Sequence, residues 1–209
     1  MMDFLDFAAD MLGRRPIEMT AVLCGLANIV LIVRRSIWNY PFGIVMVTLY
    51  AFIFFENRLY SDAGLQIYFF AMQVYGLWNW LNGRADDGRI VVLRLPPRQI
   101  PWFLLGGLAA ATAHGSAMAK FTDAAFPYWD GTIAILSILA QYFMARRYLE
   151  HWLLWILVDL LAIALFLLKG LYPTAVLYGI FLLFSVTGLL AWWRILRAGE
   201  ATPAAAAGR

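Results

Sequence analysis

Several kinds of chemistry have almost no material in this chain. It holds one cysteine, Cys24, which excludes disulfides and cysteine metal clusters. Its two histidines, His114 and His151, are too few for a histidine-based metal site. Its two lysines, Lys120 and Lys169, lie at the ends of apolar runs, so a retinal Schiff base, which needs a mid-membrane lysine, is excluded. There is no Walker loop, no HExxH and no Ser/His/Asp grouping, so no enzyme, cofactor or metal is expected. No nucleic-acid motif accompanies the net charge of +3. Asp3, Asp6 and Asp10 stand where a secretory signal would be positive, so residues 1–16 read as a short lead-in outside the membrane.

Charge itself is scarce, at 14% of residues against 63% hydrophobic, which excludes an ordinary soluble domain. What remains is seven apolar runs, at about 17–33, 36–55, 60–82, 100–119, 128–146, 150–168 and 171–193. Each is long enough to cross a hydrocarbon core about 30 Å thick. Continuous apolarity predicts helices rather than barrel strands, because lipid offers no partner to an unpaired backbone amide.

The chain also repeats itself at an offset of 112 residues. Arg34-Arg35 recurs as Arg146-Arg147, Leu59-Tyr60 as Leu171-Tyr172, Gly76-Leu77 as Gly188-Leu189 and Trp80 as Trp192. Phe54 and Phe69 recur as Phe166 and Phe181, and Glu18 answers to Asp130. A three-helix repeat over 17–82 is thus followed by a loop (83–99), a linker helix (100–119) and a second three-helix repeat (128–194). An odd number of intervening spans makes the two triplets parallel, a SWEET-like 3+1+3 architecture in which one triplet can rock against the other. Gly106, Gly107 and Ala109 to Ala111 let the linker approach its neighbours closely. The tail, 195–209, is predicted to be disordered.

Orientation follows from Lys and Arg placement. The side with the 34–35, 83–99, 146–147 and C-terminal segments carries eleven of the sixteen, whereas the other has Arg14, Arg15, Arg58, Lys120 and Lys169. The positive-inside rule places the C-terminus in the cytoplasm and the N-terminus outside.

Three stripes could carry a ligand. Asp159 lies near the middle of the sixth span, with Trp152 and Trp155 seven and four residues before it. At 100° per residue the three share one helical face within about 60°. Indole faces suit a planar or cationic ring, and a carboxylate deeper on that face can accept hydrogen bonds. The competing reading is an interfacial Trp belt with Asp159 bonded to a neighbouring helix. In the third span Gln66, Gln73 and Trp80 recur every seven residues, and the second copy offers Tyr178, Ser185 and Trp192. These glutamines are either ligand contacts or interhelical glue. In the fifth span Asp130, Ser137 and Gln141 share a face; Asp130 either caps the helix or meets substrate, and Gln141 is the stronger ligand candidate. Asn39 and Pro41 mark a helix start. The register also shows where symmetry fails, since Asp159 answers to Val47 and Trp155 to Gly43.

These residues resemble the PnuC family of bacterial vitamin transporters. The likeness runs from about residue 18 to 193, on Asn39-Tyr40-Pro41-Phe42-Gly43, Leu59-Tyr60, the run from Gln66 to Trp80 and Trp129-Asp130. Most specific is Trp152-Leu-Leu-Trp155-Ile-Leu-Val-Asp159, which looks like the family's WxxWxxx(N/D) motif, associated with nicotinamide riboside recognition. The resemblance implies an all-α membrane protein of seven helices with its substrate site between the repeats. It implies facilitated diffusion of nicotinamide riboside across the inner membrane, the substrate then being trapped by a cytoplasmic riboside kinase without an ion gradient. Gln66, Gln73, Trp80, Gln141, Trp152, Trp155 and Asp159 are the expected substrate-binding residues. The expected partners are this vitamin, the lipid bilayer, functionally the kinase, and further copies of the chain as a homo-oligomer (a trimer). The alternatives are a thiamine, flavin or small-sugar transporter of the same mechanism, and a membrane sensor that binds ligand without moving it.

Overall fold

A computed structural model describes residues 16–56, 60–83 and 90–198. The N-terminal lead-in before Pro16, the 84–89 part of the loop and the tail beyond Ala198 lie outside the described residues. Among the described residues are seven long helices: α1 (Pro16–Val33), α2 (Asn39–Glu56), α3 (Tyr60–Asn82), α4 (Ile100–Phe121), α5 (Pro127–Ala145), α6 (His151–Leu168) and α7 (Tyr172–Arg197). A short 3₁₀ turn, Pro97–Gln99, leads into α4. Their limits follow the apolar runs to within a few residues; α7 continues four residues past its run, to Arg197. By length and apolarity α1, α2, α6 and α7 are candidate membrane spans, and the chain is a multi-pass membrane protein.

The helix ends explain themselves locally. Pro101, Pro127 and Pro173 sit in the first turns of α4, α5 and α7, where a missing N–H has no bond to lose. α2 begins at Asn39, as the Asn39–Pro41 pattern predicts. α1 and α5 end alike. Arg35 and Arg147, at the same repeat position, have φ of +54° and +64°. At the first, Ser36 N donates to Leu31 O (2.8 Å) and Arg35 N to Ile32 O (2.9 Å). At the second, Tyr148 N donates to Phe143 O (3.0 Å) and Arg147 N to Met144 O (2.9 Å). These are Schellman turns with arginine in the left-handed position that glycine usually fills. Gly170, φ +71°, closes α6 in the same way.

The chain divides into two compact units between Leu81 and Asn82. In the first, α2 packs on α1 and meets α3 where Gly43 admits Gln73 and Gly76 admits Tyr40. In the second, α6 packs on both α5 and α7, and a third of its span is buried, against 17–22% for the other three candidate spans. α4 lies along α5. Their close approach is at Gly115 and Gly131, whose backbones nearly touch, rather than at Gly106, which faces open space; Gly107 meets only Leu139. Large apolar side chains such as Phe52, Ile67 and Leu104 are exposed, as lipid contact requires.

The loop before α4 is stitched to the turn between α5 and α6. Leu93 N donates to Arg147 O (2.9 Å) and Leu149 N to Leu93 O (2.8 Å), a single parallel β-bridge. Leu95 N donates to Glu150 Oε2 (2.9 Å), and Arg147 Nη1 to Gly83 O (2.6 Å). Leu95, Phe143 and Tyr148 form a small core beneath it, with Phe103 of α4 alongside. Glu150→Ala removes the acceptor for Leu95, at about 1 kcal/mol. Amide exchange at Leu93 and Leu95 is expected to quicken roughly fivefold; unchanged protection would show that the bridge holds the loop without Glu150.

Candidate functional site

Asp159 stands at the midpoint of α6 and is 3% exposed. An ionisable group at such depth costs about 2.5–3.5 kcal/mol on insertion scales. Its compensation in the second unit comes from α7: Ser185 Oγ donates to Asp159 Oδ2 at 2.9 Å. One neutral donor is thin support for a carboxylate, which can accept several hydrogen bonds. Gln141, on α5, is also buried, and among the described residues its Nε2 has no partner. Ser137 is buried too, but its hydroxyl is committed within its own helix, to Ile133 O at 2.8 Å.

The first unit has a matching polar nest. Gln73 is 2% exposed, and its side-chain amide lies over Gly43, in the space where a Cβ would stand. Asn28 reaches the same spot and donates Nδ2 to Asn39 O at 2.7 Å. Gln73 Oε1 has no partner among the described residues. Gln73 and Ser185 are repeat equivalents, so each triplet places a polar side chain of its third helix against its middle helix. What faces that side chain differs: Gly43 and Asn28 in one, Asp159 in the other. Gln66 and Trp155 are half-buried. Asn28 belongs to no seven-residue stripe; its sequence signal is a lone amide inside the most apolar stretch of α1.

Toward the same end of each triplet lies an aromatic pair. Tyr40 and Trp80 meet edge to face at 5.2 Å and 88°, Trp152 and Trp192 at 5.9 Å and 86°. The first ring of each pair rests on a glycine. A Cβ on Gly76 would lie 2.6 Å from the Tyr40 ring, and one on Gly188 would fall inside the Trp152 indole. Every partner is again 112 residues from its counterpart. Trp152, expected to present a ring face to a ligand, has its ring taken up by Gly188, His151 and Trp192. Its Nε1 has no partner among the described residues. Trp80, from the same expectation, is wholly buried against Tyr40.

Asp130 is neither a cap nor a lone carboxylate. Lys169 approaches it at 3.3 Å in a half-exposed ion pair, the kind worth about 0–1 kcal/mol. Beside it Trp129 donates Nε1 to Leu161 O at 3.0 Å, tying α5 to α6. Among the described residues no cluster of His, Cys, Asp and Glu could hold a metal ion.

Residues 15–194 match the nicotinamide mononucleotide transporter family. The nicotinamide riboside transporter PnuC of Escherichia coli (strain K12) is 30% identical over 201 residues, covering 84% of each chain. The riboflavin/roseoflavin transporter RibM of Streptomyces davaonensis is 30% identical over 184 residues, again with 84% of each covered. The crystal structure of the vitamin B3 transporter PnuC superposes with a TM-score of 0.70 at 25% identity, over 87% of this chain and 82% of that one.

Proposed function

The chain belongs to the PnuC family of vitamin transporters, and on that premise we propose that it carries nicotinamide riboside across the bacterial inner membrane by facilitated diffusion. The observation that carries the reading is the buried Asp159 on the WxxWxxxD face, held among the described residues by a single hydroxyl. The riboside is a pyridinium cation, and a buried carboxylate complements it. In the second unit Trp155 contacts the ring and Gln141 serves its amide or hydroxyls; in the first, Gln66 and Gln73 are the matching polar candidates, and Trp80 and Trp152 stay packed within their own units. Seven transmembrane helices in a parallel 3+1+3 arrangement supply the rocking frame, with the N-terminus outside and the C-terminus in the cytoplasm. A cytoplasmic kinase traps the substrate, and the exposed apolar flanks suit both lipid and assembly into a homotrimer.

The mononucleotide in the family's name carries a phosphate. Among the described residues no Lys or Arg is buried, so a dianion would find no counter-charge inside either unit. The dephosphorylated riboside fits the residues better. A second reading, riboflavin, is favoured by the equal identity to RibM; a neutral flavin, however, leaves the Asp159 charge unanswered. Titration of purified protein with nicotinamide riboside, thiamine and riboflavin, followed by tryptophan fluorescence, separates these substrates.

Transport itself has its own test. In liposomes without a kinase, internal riboside is expected to rise to the external concentration and stop there. Accumulation beyond equality would mean ion coupling. Binding without entry would mean a sensor.

A further inference from the structure

His151 opens α6 and is wholly buried. Its Nδ1 lies 2.7 Å from Tyr148 O, and a carbonyl can only accept, so Nδ1 carries the proton. In the neutral ring Nε2 is then a lone-pair acceptor, and among the described residues nothing meets it. The ring cannot turn away, because Trp152 and Trp192 flank it at 4.4 and 4.8 Å between centroids. A buried acceptor left without a donor costs about 1–3 kcal/mol.

The first unit repeats the device with a different residue. Asn39, the equivalent position, donates Nδ2 to Ser36 O at 2.7 Å, and Ser36 is the equivalent of Tyr148. That bond likewise pins the side chain and leaves an acceptor, Oδ1, with no partner among the described residues. Imidazole and carboxamide share little except this: one nitrogen to fix the group to the backbone, one acceptor left over. A packing role would not need the second feature twice.

We infer that His151 Nε2 accepts a hydrogen bond from a hydroxyl of a sugar-bearing substrate, making it a specificity-determining station some two turns of α6 from Asp159. The inference rests on the riboside reading above and deepens it. Eight residues of helix place His151 about 12 Å along the axis from Asp159, so a riboside whose charged ring lies toward Asp159 brings its sugar toward His151. Asp159 addresses the charged ring; His151 adds a hydroxyl contact to those of the glutamines.

The test compares uptake of nicotinamide riboside with that of its 2′,3′-dideoxy analogue. The unaltered protein is expected to prefer the riboside by at least about fivefold, the worth of the one neutral hydrogen bond that His151 adds. His151→Phe lowers that ratio about fivefold, while His151→Asn, which copies the Asn39 arrangement, keeps it. If His151→Phe slows both compounds equally and the ratio stands, the residue is only packing and the inference fails. A second measurement needs no change at position 151. With His114→Gln, His151 is the one histidine left, and its Nε2 resonance in ¹⁵N-histidine-labelled protein is expected to move with the riboside and stay put with the dideoxy compound. A still resonance at saturating riboside overturns the inference. Absence of riboside binding by the unaltered protein would instead remove the riboside reading itself, and this inference with it.

Discussion

Asp159→Ala is expected to weaken nicotinamide riboside binding about 100-fold, with helix content and monodispersity unchanged. A charge-assisted hydrogen bond in a dry site is worth about 1.5–3 kcal/mol, and the attraction for a pyridinium adds to it. Removing Asp159 leaves no buried charge behind. It strips Ser185 of an acceptor, but that hydroxyl can turn to a carbonyl of its own helix, as Ser137 already does. The fold therefore has little reason to suffer. Asp159→Asn keeps an acceptor for Ser185 while losing the charge, and about a tenfold loss is expected. Trp155→Ala, one turn away on the same face, is expected to abolish binding by removing the stacking surface. Fluorescence titration with circular dichroism on the same samples checks all three. Unchanged riboside uptake by both alanine variants would remove the site from this face of α6.

Gly188→Ala is expected to inactivate the protein by a different route. The added methyl must occupy space held by the Trp152 indole. The indole is itself wedged between His151 and Trp192, so the far end of the side chain has nowhere cheap to go. Overpacking of this kind costs about 1–3 kcal/mol. Gly76→Ala, pressing on Tyr40, is the matched case in the first unit. Gly179→Ala is the control: nothing lies within 4 Å of its added methyl, and helix propensity predicts a gain of up to about 1 kcal/mol. Thermal unfolding in detergent is expected to separate the first pair, both lowered, from the third. A normal melting temperature for Gly188→Ala would mean that the aromatic pair is soft enough to give way.

Helix number and limits were legible because apolar length is a coarse signal that tertiary context rarely overrides. Asn39 and Pro41 announced their helix, and the 112-residue register located the Gly76 and Gly188 contacts as identities without saying what they were for. The face holding Asp159 was legible too, since 100° per residue needs no structure. Three things were not. Periodicity could not tell a tryptophan that offers its ring from one that spends it, so Trp152 looked more open than it is. Asn28 stands alone in α1 and shares no seven-residue series, so nothing in the sequence paired it with Gln73. Position 151 read only as one of too few histidines for a metal, because the meaning of its second nitrogen depends on where Tyr148 O lies.

Arg35 and Arg147 carry a last consequence. Both occupy a left-handed backbone position for which glycine would be the easier residue, by about 1 kcal/mol. On the orientation proposed above, a nascent chain feeding into a bilayer meets at each of them two instructions in one residue, to stop winding and to stay on the near side. Glycine would give the first and withhold the second. Keeping arginine there fixes the turn and the address at a single codon, so neither can drift along the sequence without the other.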